Sequence, residues 1–473
     1  MYKITTIISA LVLGFSSQFS MAAPQSPEQF FGYPVGEWHL RHDQIQMYFQ
    51  QLAAGSDKAQ LEIIGHSHEQ KPVLQLIISS PENLKKLEQI RLQHLTQLST
   101  GTQLAEDLPL VVWLGYGVHG NESSGPNASV QVAHHLLTST DAEVQDWLKN
   151  TIILIQPSLN PDGLERFATW ANMHKGKSPV ADPQSREHIE PWPNGRPNHY
   201  WFDLNRDWLP LEHPESRARI AQFYKWRPAV VGDFHEMGPN STFFFQPGIP
   251  TRTYPLTPTA NQQLTAKIAD YHAAALDKKG RLYYTEESFD DFYVGKGSTY
   301  PDIQGGLGLV FEQASSRGHI QSSQRGDITF QFTIRNQLKT SIATMEAGVK
   351  EREYMHKYLR EYFQTAITEA GKDKAKGYIF GDESDDSRNR LFLKLLLDHK
   401  IKVLENDKDI TSEGKSFKKG KSWIVPTSQP QYRMVRSMFE KVTTFADSVF
   451  YDASSWTMAL AYGMPYATQT VVG

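Results

Sequence analysis

His119 and Glu122, in the stretch His119-Gly-Asn-Glu122, can reach one metal ion if the chain between them turns tightly, and Gly120 permits such a turn. The pair alone says little in a chain with 17 His and 52 acidic residues. A third donor gives it weight. Catalytic zinc takes three protein ligands, commonly two His and one Glu, and keeps a fourth position for water. His235 ends the apolar run Ala229–Phe234, and Glu312 ends the run Gly308–Phe311. His119 follows the run Leu110–Leu114 through Gly115-Tyr116-Gly117. If these runs are parallel strands, their carboxyl ends share one edge of an open sheet, where ligands bind. Arg206, beside Asn205 in Phe202–Trp208, has the side chain that grips a carboxylate with two parallel hydrogen bonds. By itself it reads as a surface salt bridge to Asp203 or Asp207.

The elements that must position these residues follow from patterning. Leu110–Leu114, Thr151–Ile155, Ala229–Phe234 and Gly308–Phe311 are short apolar runs of the kind buried on both faces of a sheet. Helical patterns lie at Pro126–Leu137, Pro214–Tyr224 and Thr259–Leu276. Strands alternating with helices predict an α/β fold: a mixed, mostly parallel central sheet with helices on both faces. Leu61–Ile64 and Val73–Ile78, joined by the polar turn Gly65–Pro72, read as a hairpin, and a polar helix follows at Glu82–Leu98. Lys175–Tyr200 and Phe243–Pro258 read as long irregular stretches. One long amphipathic helix is expected at Gln331–Thr365, then a linker at Gly371–Ala375. A helix at Asn389–His399, strands at Ile401–Leu404 and Ser422–Val425, and a helix at Tyr432–Lys441 make a small C-terminal α/β piece. The expected division is 1–23, 24–370 and 376–473.

Composition narrows the class. The 473 residues are 39% hydrophobic and 21% charged with a formal charge of -4, which suits a globular protein and gives no reason to invoke nucleic acid. Lys3, the apolar Ile7–Phe15 and the small residues at Ser20-Met21-Ala22 read as a secretory signal cut after Ala22 or Ala23. The chain is then exported, periplasmic or secreted, with no membrane anchor after cleavage. With no cysteine, there is no thiol nucleophile, disulfide or thiolate ligand. No Gly-x-Ser-x-Gly elbow occurs. His66, His68, His134 and His135 read as solvated or capping residues.

The ordered series Gly117-Val118-His119-Gly120-Asn121-Glu122, Asn160-Pro161-Asp162-Gly163, Asp203-Leu204-Asn205-Arg206, His235 and Glu312 resembles the zinc carboxypeptidase family over about residues 30–350. The Gly65-His66-Ser67 turn is similar to that family's N-terminal hairpin. The resemblance implies one zinc per chain on His119, Glu122 and His235, with Asp203 orienting a ligand His. It implies Asn205 and Arg206 on the substrate's terminal carboxylate and Glu312 as general base and acid. The capping tyrosine falls on Tyr293, with Tyr300 as the alternative. For the arginine that polarises the scissile carbonyl, Arg166 is the obvious residue, while Lys175 sits nearer the expected place. The pocket residue that selects the terminal side chain falls near Ser298–Thr299, with Asp302 close by.

The implied substrates are peptides or proteins with a free C-terminal carboxylate, cleaved by attack of a metal-activated water. Deacylases of N-acyl amino acids resemble the chain around the metal ligands alone. A cell-wall peptide hydrolase and a metal-free binding module on the same scaffold are the other readings.

Overall fold

The computed structural model describes residues 24–100, 108–443 and 457–471; the expected signal lies outside them. Seven strands form the main sheet: β1 (Ala59–His66), β2 (Pro72–Ile78), β3 (Leu110–Tyr116), β4 (Thr151–Gln156), β5 (Val230–Met237), β6 (Phe243–Phe245) and β7 (Leu307–Ala314). Their order is β1-β2-β4-β3-β5-β7-β6. The central strands β4, β3, β5 and β7 run parallel, and the strands toward either edge are antiparallel.

Every residue of β3 and β4 is buried, because successive side chains point to opposite faces and both faces are covered. On one face Val112 and Leu110 meet the helix Phe330–Lys350 at Gly348. On the other, Trp113 packs against Phe223 with ring centroids 6.3 Å apart. Burying a side chain of this size contributes roughly 1.5–3 kcal/mol. Among the helices are α1 (Ser124–Thr138), α2 (Pro161–Met173), α3 (Pro214–Trp226), α4 (Thr259–Asp277), α5 (Phe330–Lys350) and α6 (Arg352–Lys372). Helix α5 packs with α1 and α4, while α3 covers β1.

Several expectations need correction. The long helix at Gln331–Thr365 is two helices, α5 and α6, broken at Glu351. Glu351 accepts from the Tyr271 hydroxyl at 2.7 Å, so the break is held by the core. The Glu82–Leu98 helix is likewise two, Pro81–Lys85 and Leu87–Thr100. Phe243–Phe245, expected to be irregular, adds an antiparallel strand to β7 because three consecutive aromatics all find buried places. Helix α2, not among the expected helices, buries the stripe Leu164, Phe167, Ala168 and Ala171; the Asn160 side chain caps it and Pro161 opens it.

The C-terminal residues form a second sheet with strands Leu404–Glu405, Trp423–Pro426, Gly377–Phe380 and Tyr466–Gln469 in that order. Tyr254 and Tyr462 donate hydrogen bonds from their hydroxyls to Glu440 and Glu212, at 2.6 and 3.1 Å, across the junction with the main sheet.

Candidate active site

The turn after β3 is set by two glycines with different tasks. Gly117 has φ +63°, a left-handed conformation that favours glycine. Gly120 does not; it is needed because a Cβ there would lie 2.0 Å from the Gly163 carbonyl carbon. The expected tight turn forms, with the Glu122 N–H on the His119 carbonyl at 3.2 Å, and close packing on the start of α2 is a second demand on Gly120.

That packing brings the donors together. His119 Nδ1 lies 2.9 Å from Glu122 Oε1, His235 Nδ1 lies 2.8 Å from Glu122 Oε2, and the two Nδ1 atoms are 3.2 Å apart. All three residues are buried. The opposite ring nitrogens are committed elsewhere. His119 Nε2 is 2.9 Å from Asp203 Oδ1, and His235 Nε2 is 2.8 Å from Asp233 Oδ2. Two imidazoles held from behind by carboxylates, facing a third carboxylate, suit a zinc ion. Asp233 escaped the sequence reading, although it lies two residues before His235 on the same face of β5.

Charges agree with a cation site. Burial opposes charge on His119, but the carboxylates of Glu122 and Asp203 outweigh it and raise its pKa. Burial is likewise outweighed at His235, raised well above the ordinary value by Asp233 and Glu122. Glu122 is held well below the carboxylate range, against its burial, by the two histidines. Glu312 differs: burial pushes its carboxyl up to about 7, with Glu122 adding to the shift and His235 and His119 opposing it. Glu312 stands beside His235 as its register partner on β7.

Arg196 completes the cluster. Its guanidinium donates to Glu122 Oε1 at 3.2 Å and to Asp203 Oδ2 at 2.9 Å. Arg166 is not among these groups; it donates to the carbonyls of Asn194 and Asn198, at 2.6 and 3.3 Å, and clamps the loop that carries Arg196. Lys175 is also elsewhere, on the Glu37 carbonyl. The same loop is held by Asn160 Nδ2 on the Arg196 carbonyl at 3.1 Å. Only the length of the 175–200 stretch marked it in the sequence.

A family model described as zinc carboxypeptidase matches residues 45–241. The match covers under half of the chain, and over that stretch the chain is similar to the zinc carboxypeptidase family. Carboxypeptidase 2 of Trichophyton rubrum is 26% identical over 162 residues, which cover 32% of this chain and 24% of that protein. The chain thus matches about a quarter of the length of that relative. A metallo-carboxypeptidase from Burkholderia cenocepacia superposes with a TM-score of 0.47 at 14% identity, over 66% of this chain and 70% of that one. Carboxypeptidase A from Helicoverpa armigera gives 0.46 at 17% identity, over 68% and 75%.

The remaining positions that the zinc carboxypeptidase resemblance points to divide in two. Arg206 and Tyr293 line a cleft of about 370 Å³ with Asp203, Pro210 and Glu212, and the Tyr293 hydroxyl donates to the Arg206 carbonyl at 3.4 Å. Asn205 sits behind the His119–Glu122–His235 cluster: its Nδ2 lies 3.1 Å from His235 Nε2 and its Oδ1 accepts the Gly297 N–H at 2.9 Å. Tyr300 is a core residue, its hydroxyl 2.8 Å from the Tyr224 hydroxyl and 2.7 Å from His399 Nδ1. Ser298 and Thr299 are buried, and Asp302 accepts from Asn261 and the Gly308 N–H inside the core. The cleft wall is instead made by Trp201, Phe202 and Pro210.

Proposed function

We propose that the protein is a zinc-dependent metallocarboxypeptidase that removes C-terminal residues from peptides. The observation that carries this reading is the convergence of His119, Glu122 and His235 with Arg196 and Glu312 at one sheet edge, next to the cleft lined by Arg206. Zinc on the three ligands supplies Lewis acidity, lowering a water's pKa to about 7 and polarising a carbonyl.

The chain's own residues do the rest. Arg206 binds the substrate's terminal carboxylate and so confines cleavage to chain ends. Tyr293, beside it, covers the bound residue. Arg196 donates to the scissile carbonyl oxygen as negative charge develops there. Glu312, near neutrality in pKa, takes a proton from water and returns it to the leaving amine. Asp203 and Asp233 hold the ligand rings in orientation. The pattern at residues 1–23 supports export. Among the described residues no helix is long and apolar enough to cross a membrane.

The deciding experiment is product analysis on a peptide mixture with and without a chelator. Sequential loss of C-terminal residues, abolished by chelation and restored by zinc, is expected; internal cuts, or release of acyl groups alone, would contradict the reading.

A further inference from the structure

Helix α3 ends on a cation with no counter-ion. Arg227 follows Trp226 with φ +45°, a left-handed conformation that costs a residue with a Cβ, and its N–H closes the helix on the Phe223 carbonyl at 2.7 Å. Its guanidinium lies 4.4 Å from the centre of the Tyr224 ring and 5.5 Å from that of Phe363. Nη1 donates to Gln304 Oε1 at 2.8 Å, and among the described residues no carboxylate pairs with the group. Burial lowers the pKa of Arg227, and the groups that act against it are the hydroxyls of Tyr224, Tyr300 and Tyr362. A charge taken out of water without a partner of opposite sign is costly.

Arg227 lines a cavity of about 380 Å³ where α3, α6 and the helix Leu87–Thr100 meet the C-terminal residues. Leu95, Leu98, Phe363 and Pro430 give it an apolar wall, and Lys400 and Lys402 add two more cations. Lys400 Nζ stands 6.0 Å from the same Tyr224 ring, so like charges gather, and no Asp or Glu lines the cavity. Asp398, two residues before Lys400, is paired with Lys394 instead. The lysines are held in place by backbone. Lys402 donates its N–H to Gln429 Oε1 at 2.7 Å and accepts Gln429 Nε2 at its carbonyl at 3.1 Å, while Gln431 Nε2 donates to the His399 carbonyl at 2.8 Å.

A mostly apolar wall with a few convergent polar groups is the make-up of a small-molecule site, and the volume falls within the range of roughly 300–1,000 Å³ that such sites occupy. We propose that this cavity binds a small carboxylate with an apolar body, its head on Arg227, Lys400 and Lys402 and its body against Leu95, Leu98 and Phe363. The planar fork of Arg227 matches a carboxylate with two parallel hydrogen bonds. Three cations with no acid beside them repel an ammonium, which sets free amino acids aside. None of these residues belongs to the His119–Glu122–His235 cluster or to the cleft at Arg206. The ligand would bridge α3 and α6 to the C-terminal residues, so binding adds to the stability of the folded chain.

The test is calorimetric titration of the full chain with sodium octanoate, beside thermal melts. Saturable binding at one equivalent and a raised melting temperature are expected. Octanol and octylammonium should bind at least about tenfold more weakly, since neither offers the cations a negative head. Lys402→Gln should weaken octanoate, and Lys400→Glu combined with Lys402→Glu should abolish its binding at wild-type circular dichroism. Arg206→Ala should bind octanoate as the wild type does, which separates this cavity from the active-site cleft. Absence of saturable binding, or octanol binding equally well, overturns the proposal. So does octanoate binding that is lost in Arg206→Ala or kept at full strength in the double lysine variant. Should the double variant fail to fold, Lys402→Gln decides, and unchanged affinity there overturns the proposal.

Discussion

His235 and Glu312 are register partners on adjacent parallel strands, so the backbone of the sheet fixes a metal ligand beside a near-neutral carboxyl. The two need no loop to find each other. Glu312→Gln should therefore leave zinc binding at His119, Glu122 and His235 intact while removing the proton shuttle. Turnover is expected to fall by about 10²–10⁴-fold at unchanged metal content. Full activity in a zinc-loaded variant would remove Glu312 from the chemistry.

Arg196 and Arg166 should separate in kind. Arg196→Ala is expected to lower kcat/KM by about 10²–10³-fold with zinc retained, as for loss of one donor to a developing oxyanion. Arg166→Ala removes hydrogen bonds to two loop carbonyls and should lower the melting temperature. Steady-state kinetics beside thermal melts compare the two, and an Arg196→Ala enzyme with unaltered kcat/KM would return the role to another residue.

If the protein is a carboxypeptidase, Arg206 sets the demand for a free chain end. The wild type should cleave peptides with a free carboxylate far better than their C-terminal amides, and Arg206→Ala should narrow that ratio mainly through KM. Equal narrowing in a Tyr293→Phe variant, with none in Arg206→Ala, would point to a different anchor.

Asp203 acts through His119. Asp203→Asn should weaken zinc about 10–100-fold, measured by competition with a chromophoric chelator. Because the neighbouring carboxylates raise the pKa of His119 and His235, zinc competes with protons for these rings. Affinity should then fall as pH drops, and titrations in buffers of different ionisation enthalpy should register proton release. An affinity flat between pH 5 and 8 would contradict this.

Glu215 offers a test of stability. Burial pushes its carboxyl from 4.5 up to about 7, and its Oε2 has no hydrogen-bond partner among the described residues. The folded state therefore keeps a proton that the unfolded state releases, and this group's contribution declines as pH rises through that interval. Glu215→Gln should stabilise the protein above pH 7, by up to about 3 kcal/mol, and do little near pH 4. Denaturant melts at the two pH values decide it; a larger gain at the acid end would reverse the sign.

Much of the frame was readable beforehand because burial on both faces writes itself as unbroken apolar runs, and β3, β4, β5 and β7 are of that kind. The metal donors were readable because they terminate or follow those runs. Arg196 was not: its place depends on Asn160, Arg166 and Glu190 holding a loop without periodicity, through contacts that bridge up to 36 residues. The break at Glu351 was equally hidden, since apolar spacing continues through it and only contact with Tyr271 reveals the interruption. Tyr300, the alternative to Tyr293 for the capping role, drops out because packing places its hydroxyl in the core, on Tyr224 and His399.

The ring of His399 has one further implication. It donates from Nε2 to the Leu209 carbonyl at 2.8 Å and accepts the Tyr300 hydroxyl at Nδ1, while Tyr462 reaches Glu212. Leu209 and Glu212 flank Pro210 in the cleft wall. A chain shortened at residue 375 would uncover the Leu209 carbonyl and the hydroxyls of Tyr300 and Tyr224, polar groups whose present partners come from His399 and Gln431. The grip on the cleft wall is thus shared property of both sheets.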